Sequence, residues 1–372
     1  MIALFWLAFV LVVYTYIGYP MLVVLMARLK PESSPPIIEC WPAVSVVVPF
    51  CNEAHRVGSK LATLRALDYQ GQLQIIFVSD GEEDGTADAV RSCMDDGVDA
   101  IVLPQRSGKP TALNAAIEVA QHDLVLFTDA RQKLDLQALT RLVLRIQEPN
   151  VAAVSGELVL VDKDDKARIG LYWRYEKLIR QAESRLLSVP GVTGALYLMR
   201  KQYIRPLSAD TLLDDFEMPL PALKESQRIL FESGALIFDQ VSEDLEKEKA
   251  RKVRTLTGNF QSFVKHRWLF FPWKNPIWWQ FISHKVFRLC VPYWLLILLV
   301  LPLFLDGYFY TVFFMAQLGF YVLAIGNARG WPLCKGAVGS VALLFSELNL
   351  AAVQAAWCYF FQTVDARWER TA

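Results

Sequence analysis

From Met1 to Ala27 the chain carries no charged side chain, and uncharged runs of that kind return only after Leu289. A helix rising 1.5 Å per residue needs about 20 apolar residues to cross the hydrocarbon core of a bilayer. Of the 372 residues 54% are hydrophobic and 20% charged, proportions that suit neither a uniform soluble globule nor a uniform membrane bundle. Apolar and charged residues are therefore segregated. The expected order is a membrane helix at 1–27, a linker at 28–42, a soluble α/β domain at 43–269, an interfacial amphipathic segment at 270–287, three membrane helices within 288–364, and a tail at 365–372.

The later spans are read as Leu289 to Leu305, Gly307 to Ala328 and Gly336 to Val364, separated by Asp306 and by Arg329/Lys335. A cleaved signal peptide competes for Met1 to Ala27, but the basic n-region and the small-x-small site are missing. Basic residues favour the cytoplasmic side, so Arg28/Lys30, Lys285/Arg288 and Arg329/Lys335 place the central domain in the cytoplasm. Arg367 and Arg370 in the tail run against this. Glu347, inside the last span, reads as a functional intramembrane carboxylate, as a residue facing the bundle near an interface, or as a mark of a partly re-entrant segment. Trp273, Trp278 and Trp279 alternating with Lys274, His284 and Lys285 suit a membrane surface.

Lys+Arg and Asp+Glu both number 38, which gives no global electrostatic reason to expect nucleic acid. Six scattered cysteines without CxxC spacing signal neither a zinc site nor a disulfide framework.

Val44 to Pro49 is a β-branched run, followed by a capping Asn52-Glu53 and a helical pattern through Leu67. Leu73–Ser79, Ala100–Leu103 and Leu124–Thr128 read as further strands, with helices over Thr86–Met94 and Pro110–Ala120 between them. Such alternation predicts an α/β, Rossmann-like fold with a mostly parallel sheet covered on both faces. Ligands then bind beyond the carboxyl ends of the strands. There the chain places Asn52 and Glu53, then Asp80 to Thr86, then Asp129-Ala130-Arg131, each of which could singly be a cap or turn. Together with Arg106-Ser107-Gly108-Lys109 at a helix N-terminus, they suit a phosphate-bearing ligand and a divalent cation. A P-loop and a GxGxxG fingerprint are absent.

Val-Val-Val-Pro49-Phe-Cys-Asn52-Glu53, Val-Ser-Asp80-Gly-Glu-Glu-Asp84-Gly-Thr86, Gly108-Lys109-Pro-Thr-Ala-Leu-Asn114 and Phe-Thr-Asp129-Ala resemble the family 2 glycosyltransferases of GT-A fold. These are inverting enzymes and include cellulose, chitin and hyaluronan synthases. The resemblance puts Glu53 and Asp80 at the nucleoside, Lys109 near the diphosphate and Asp129 on a Mg²⁺ or Mn²⁺ ion, with Pro49, Asn52, Asn114 and Gly194 also on the donor side. In Leu213-Asp214-Asp215 it makes Asp215 the general base, a role a carboxylate suits; a helix N-cap is the plain alternative. Gly191 to Ala195 resembles the small-residue segment near the donor or acceptor sugar.

Two departures stand out. Arg251-Lys252-Val253-Arg254-Thr255 replaces a Gln-x-x-Arg-Trp segment, keeping in Arg254 a cation for the departing diphosphate and losing an aromatic stacking surface. Glu246 to Arg254 could equally be a solvated helix. At the third position of an Asp-x-Asp metal motif stands Arg131, which either pairs with phosphate or Asp215, or points away and leaves the metal to Asp129 and the nucleotide.

The resulting expectation is sugar transfer from a nucleotide sugar, with UDP as the carrier, to a saccharide or lipid-linked acceptor at the cytoplasmic face of a bacterial inner (plasma) membrane. A polysaccharide synthase is its more specific form. Transfer of one sugar to polyprenyl phosphate is the alternative, as is a non-catalytic scaffold or transporter retaining a nucleotide-binding domain. Membrane lipids are expected partners, and partner subunits stay open.

Overall fold

The computed structural model describes residues 1–31, 38–81, 84–95, 97–162, 170–240 and 245–362. Most of the Pro/Ser linker, Glu82 and Glu83, and the tail with Arg367 and Arg370 lie outside the described residues. Two compact units emerge. One takes 1–22, 245–260 and 279–362; the other takes 23–240 and 261–278.

The second unit is built on one eight-stranded sheet. Its strands are β1 (Val44–Phe50), β2 (Leu73–Asp80), β3 (Val98–Leu103), β4 (Leu124–Thr128), β5 (Lys133–Leu134), β6 (Val151–Val161), β7 (Leu196–Arg200) and β8 (Arg228–Gln240), in the order β3-β2-β1-β4-β7-β6-β8-β5. Strands β3, β2, β1 and β4 are mutually parallel, as the alternating strand and helix pattern predicts. Every residue of β1 is buried. A strand covered on both faces has no reason to alternate, which is why Val44 to Val48 reads as a continuous apolar run. Ser45 and Gln74, opposite each other in the register, bond at 2.6 Å inside this core and so satisfy one another.

β7 runs antiparallel to both β4 and β6, while β8 lies parallel to β6. This reversal matters for position. The start of an antiparallel strand meets the end of its neighbour, so Leu196 faces Thr128, and the Asp129 N–H points at the Ala195 carbonyl 3.4 Å away. The Gly191–Ala195 segment is thereby delivered to the edge where β1, β2 and β4 end.

The first unit carries helices long and apolar enough to cross a membrane: Ile2–Arg28, which continues past this unit, Trp278–Phe304, Tyr308–Ala328 and Ala337–Phe361. The second starts at Trp278, earlier than its apolar run at Leu289, because the chain continues through a π-turn at Phe281–Val286 into Phe287–Val300. The last is one uninterrupted helix, with Glu347 exposed on it. Phe5 packs edge-on against Phe309, Tyr310 and Phe313. The indole of Trp279 donates to the Tyr14 hydroxyl at 2.8 Å, and Tyr14 is 2.9 Å from Ser283. These three polar groups among apolar helices are thus paired with each other, as an environment without water favours.

At the β6 bulge, a Cβ on Gly156 would lie 2.6 Å from Leu196 Cδ2 and 2.8 Å from the Ala235 carbonyl oxygen. Gly58, on helix Ala54–Arg65, has nothing within 4 Å of such a Cβ. Gly156→Ala is expected to destabilise the unit by about 1–3 kcal/mol through overpacking. Gly58→Ala should leave stability unchanged or raise it by up to about 1 kcal/mol through helix propensity. Thermal melting of the two variants in detergent checks the contrast.

Candidate active site

Strand ends β1, β2 and β4 converge through specific bonds. Asp80, buried at the end of β2, accepts hydrogen bonds from the backbone N–H of Ser107 at 2.7 Å and of Gly108 at 2.9 Å. Both carboxylate oxygens thereby hold the loop of Ser107 and Gly108 in place. That loop enters helix Lys109–Val119 through Gly108 at φ +91°, a conformation that favours glycine. At the end of β1 the Glu53 N–H donates to Thr86 Oγ1 at 2.9 Å and the Ala54 N–H to Asp84 at 3.2 Å, which ties the β1 and β2 loops together. Asn52 takes φ +54° in this turn, a value that asparagine tolerates better than most residues. Pro49 is buried within β1.

Lys109 lies between two carboxylates. Its Nζ is 2.9 Å from Asp129 Oδ1 and 3.1 Å from Asp214 Oδ2. Burial lowers the affinity of its ammonium for the proton, but Asp129 and Asp214 outweigh that, and the group is held above the ordinary lysine range. Asp214 and Asp215 open the short helix Asp214–Glu217. Asp215 faces a different neighbour: a Cβ on Gly194 would lie 3.1 Å from Asp215 Oδ2, so any larger residue there would press on the carboxylate.

The segment that carries the acidic pair is pinned from one side. Gln261 accepts from the Leu212 N–H at 2.9 Å and donates to the Asp210 carbonyl at 2.8 Å. Ser262 donates to Glu217 at 3.1 Å, and Lys265 pairs with Glu217 at 2.6 Å. Burial acts to raise the Glu217 pKa, yet His266 and Lys265 overcome it and hold the carboxyl below its usual range.

Arg131 is settled by the fold. Its guanidinium pairs with Asp239 of β8, which also accepts from Gln132 at 3.1 Å. Its partner in this structure is thus a carboxylate of β8. Asn114 likewise has both ends of its amide on the Leu207 backbone, at 2.8 and 2.9 Å, so it acts by placing that segment. Arg254 sits on helix Leu245–Lys265 in the part that belongs to the other unit. Asp80, Lys109, Asp129, Asp214, Asp215 and Gly194 are linked to one another by the contacts above, with Glu53 beside them.

Residues not singled out from sequence complete the site. Lys60 is buried and donates to Thr128 Oγ1 and to the Gln132 carbonyl, each at 3.0 Å, clamping both ends of the Asp129 turn. The signal was available, because Val57, Lys60 and Leu64 form one buried stripe at helical spacing. Arg180 donates to Thr193 Oγ1 and Ser155 Oγ, both at 2.8 Å, and lies over Phe231. Burial lowers its pKa, with Asp215 among the carboxylates that oppose the shift. The Tyr197 hydroxyl is buried without a hydrogen-bond partner, and burial, then Asp214, Asp215 and Asp129, hold its proton in place. Burial pushes the Glu53 carboxyl up, with Arg56 at 3.3 Å opposing and Asp129 reinforcing. Among the described residues no group of three His, Cys, Asp or Glu side chains could by itself hold a metal ion.

A sheet whose strand ends gather carboxylates and a helix-terminal lysine has counterparts among known proteins. Residues 45–207 match the family model described as glycosyl transferase family 2. An N-acetylglucosaminyltransferase of Mesorhizobium japonicum is 32% identical over 196 residues, covering 50% of this chain and 45% of that protein. One from Bradyrhizobium elkanii is 33% identical over 129 residues, covering 33% of this chain and 70% of the relative. A mannosyltransferase from Pyrobaculum calidifontis, solved with GDP-Man and Mn²⁺, superposes with a TM-score of 0.72 at 22% identity over 96% of this chain and 99% of that one. The chain belongs to glycosyl transferase family 2, and its fold is GT-A. It spans about half the length of most of the curated relatives it matches.

Lys60 supplies a pH test of the clamp beneath Asp129. Burial drags its ammonium from 10.5 to about 7, against the pull of Asp129 and Glu53. Between pH 7 and 10.5 the unfolded chain binds the extra proton, so the folded state gains stability as pH rises through that window, whereas below 7 the burial penalty is fully present. Lys60→Met is expected to flatten the rise in melting temperature from pH 7 to pH 10. An unchanged slope would rule out Lys60 as the titrating group.

Proposed function

We propose that this chain transfers a sugar, with inversion, from a nucleotide sugar to an acceptor hydroxyl at a membrane face, with Asp215 as general base. The observation that carries this reading is the division within the acidic pair. Asp214 is tied through Lys109 to Asp129, on the side suited to a diphosphate, while Asp215 is set against Gly194 and feels the charge of the half-buried Arg180. A base beside a small-residue segment can reach an acceptor oxygen. The N–H groups at the start of helix Lys109–Val119 and the Lys109 ammonium favour the donor diphosphate.

A divalent cation, Mg²⁺ or Mn²⁺, fits the hard oxygen of Asp129, whose side chain is one-third exposed. When bound, such an ion supplies charge neutralisation for the leaving diphosphate. The relatives' name favours N-acetylglucosamine as the transferred sugar, and UDP is the proposed carrier. Basic residues beside the spans favour the cytoplasmic side of a bacterial inner membrane. Thr255, standing where processive enzymes resembled by this chain carry Trp, favours transfer of a single sugar to a lipid-linked acceptor over polymerisation.

Membranes containing the chain should turn over UDP-N-acetylglucosamine in preference to UDP-glucose, UDP-galactose and GDP-mannose. Asp215→Asn should lower turnover by about 10²–10⁴-fold with little change in donor KM, the size of a lost general base. Full activity in Asp215→Asn would unseat the base assignment, and no turnover with any nucleotide sugar would unseat the enzyme reading. Asp88, an exposed residue of helix Thr86–Ser92, offers an orientation probe. Asp88→Cys should resist a membrane-impermeant thiol reagent in intact cells and react once the cells are opened.

A further inference from the structure

The place between Asp129 and Asp214 is filled by a cation. Lys109 Nζ reaches one oxygen of each carboxylate, at 2.9 and 3.1 Å. Asp214 Oδ2 is buried and accepts no hydrogen bond of regular geometry, and it faces the Lys109 ammonium. The Tyr197 hydroxyl, on a fully buried side chain, is unbonded and within electrostatic reach of the same two carboxylates. Two carboxylate oxygens around one positive charge, with an unbonded phenol coupled to both carboxylates, form an oxygen-only donor set, the kind hard divalent ions take. Asp129 is the more exposed of the pair, at 33% against 15%, which leaves a side open to solvent and phosphate. Arg131 does not compete for this place, because Asp239 holds it.

We propose that Asp214 is the second protein ligand of a divalent cation in the donor site, and that Lys109 is the resident stand-in for that ion. This rests on the nucleotide-sugar reading above. Lys109 keeps the two carboxylates together in the unloaded site. With Mg²⁺ or Mn²⁺ bound, Asp129 and Asp214 would hold the ion and Lys109 would be free to pair with the donor diphosphate. The two carboxylates keep a cation between them throughout, and the lysine exchanges one anion for another. One strand-end aspartate then suffices, since the acidic pair supplies the ligand that Arg131 does not. The adjacent carboxylates carry separate tasks: Asp214 holds metal and Asp215 serves the acceptor.

The test is Mn²⁺ binding to the purified full chain in detergent, followed by electron paramagnetic resonance with and without UDP. Asp214→Asn and Asp129→Asn should each weaken Mn²⁺ binding about tenfold or more, while the surface control Asp88→Asn stays within twofold. Lys109→Met should tighten Mn²⁺ several-fold without nucleotide, because the competing ammonium is gone, and should weaken UDP. Asp214→Glu should recover part of the lost affinity. Wild-type Mn²⁺ affinity in Asp214→Asn overturns the proposal, and so does a Lys109→Met variant that loses Mn²⁺ as Asp129→Asn does. Mn²⁺ held through Asp129 and Asp214 in a chain that turns over no nucleotide sugar would support this assignment and count only against the enzymatic reading.

Discussion

The grip of Asp80 on the backbone of Ser107 and Gly108 is the interaction on which the site depends. A buried carboxylate with two charge-assisted bonds to consecutive N–H groups cannot move without leaving polar atoms unsatisfied. It fixes the entry into helix Lys109–Val119, and so sets where that helix directs its first N–H groups and where the Lys109 side chain starts. From there Lys109 reaches Asp129 at the end of β4 and Asp214 from a distant segment. The opposing charges of these three groups compensate for the partial loss of their hydration.

Around this centre the protein supports each carboxylate from behind. Lys60 clamps the Asp129 turn at Thr128 and Gln132. Gln261, Ser262 and Lys265 hold the segment from Asp210 to Glu217. Arg180 fixes Thr193 and Ser155, which in turn bonds the Thr193 N–H at 2.8 Å and shapes the loop under Asp215. Reacting groups placed on strand ends and short helices need such support, because displacements of about 1 Å can cost orders of magnitude in rate.

The membrane unit follows a different physical rule. Lipid offers no hydrogen bonds, so Tyr14, Ser283 and Trp279 bond among themselves, and the Gln317 amide donates to the Leu295 carbonyl at 2.9 Å. Close approach relies on small residues, as at Gly326 and Gly339, where a Cβ would collide with Cys334.

The sequence by itself determined the spans, the parallel half of the sheet and the polar residues at its strand ends, because runs without charge, strand–helix alternation and turn residues are local patterns. It also placed Asp129, Lys109 and the acidic pair in one family's order. Tertiary structure alone decided how these residues pair. That Arg131 turns to Asp239, that Lys109 chooses Asp214 over Asp215, and that Asn114 and Asp80 secure backbone all depend on contacts across long stretches of chain. The antiparallel placement of β7 and the position of β8 create them. Strand direction within a sheet leaves no mark on residue spacing, so Tyr197 and Arg180 were invisible as site residues until the sheet was assembled. Lys60 was half visible: its place on an apolar helical stripe foretold burial, but only the fold supplied Thr128 and Gln132 as the reason a charge could be buried there.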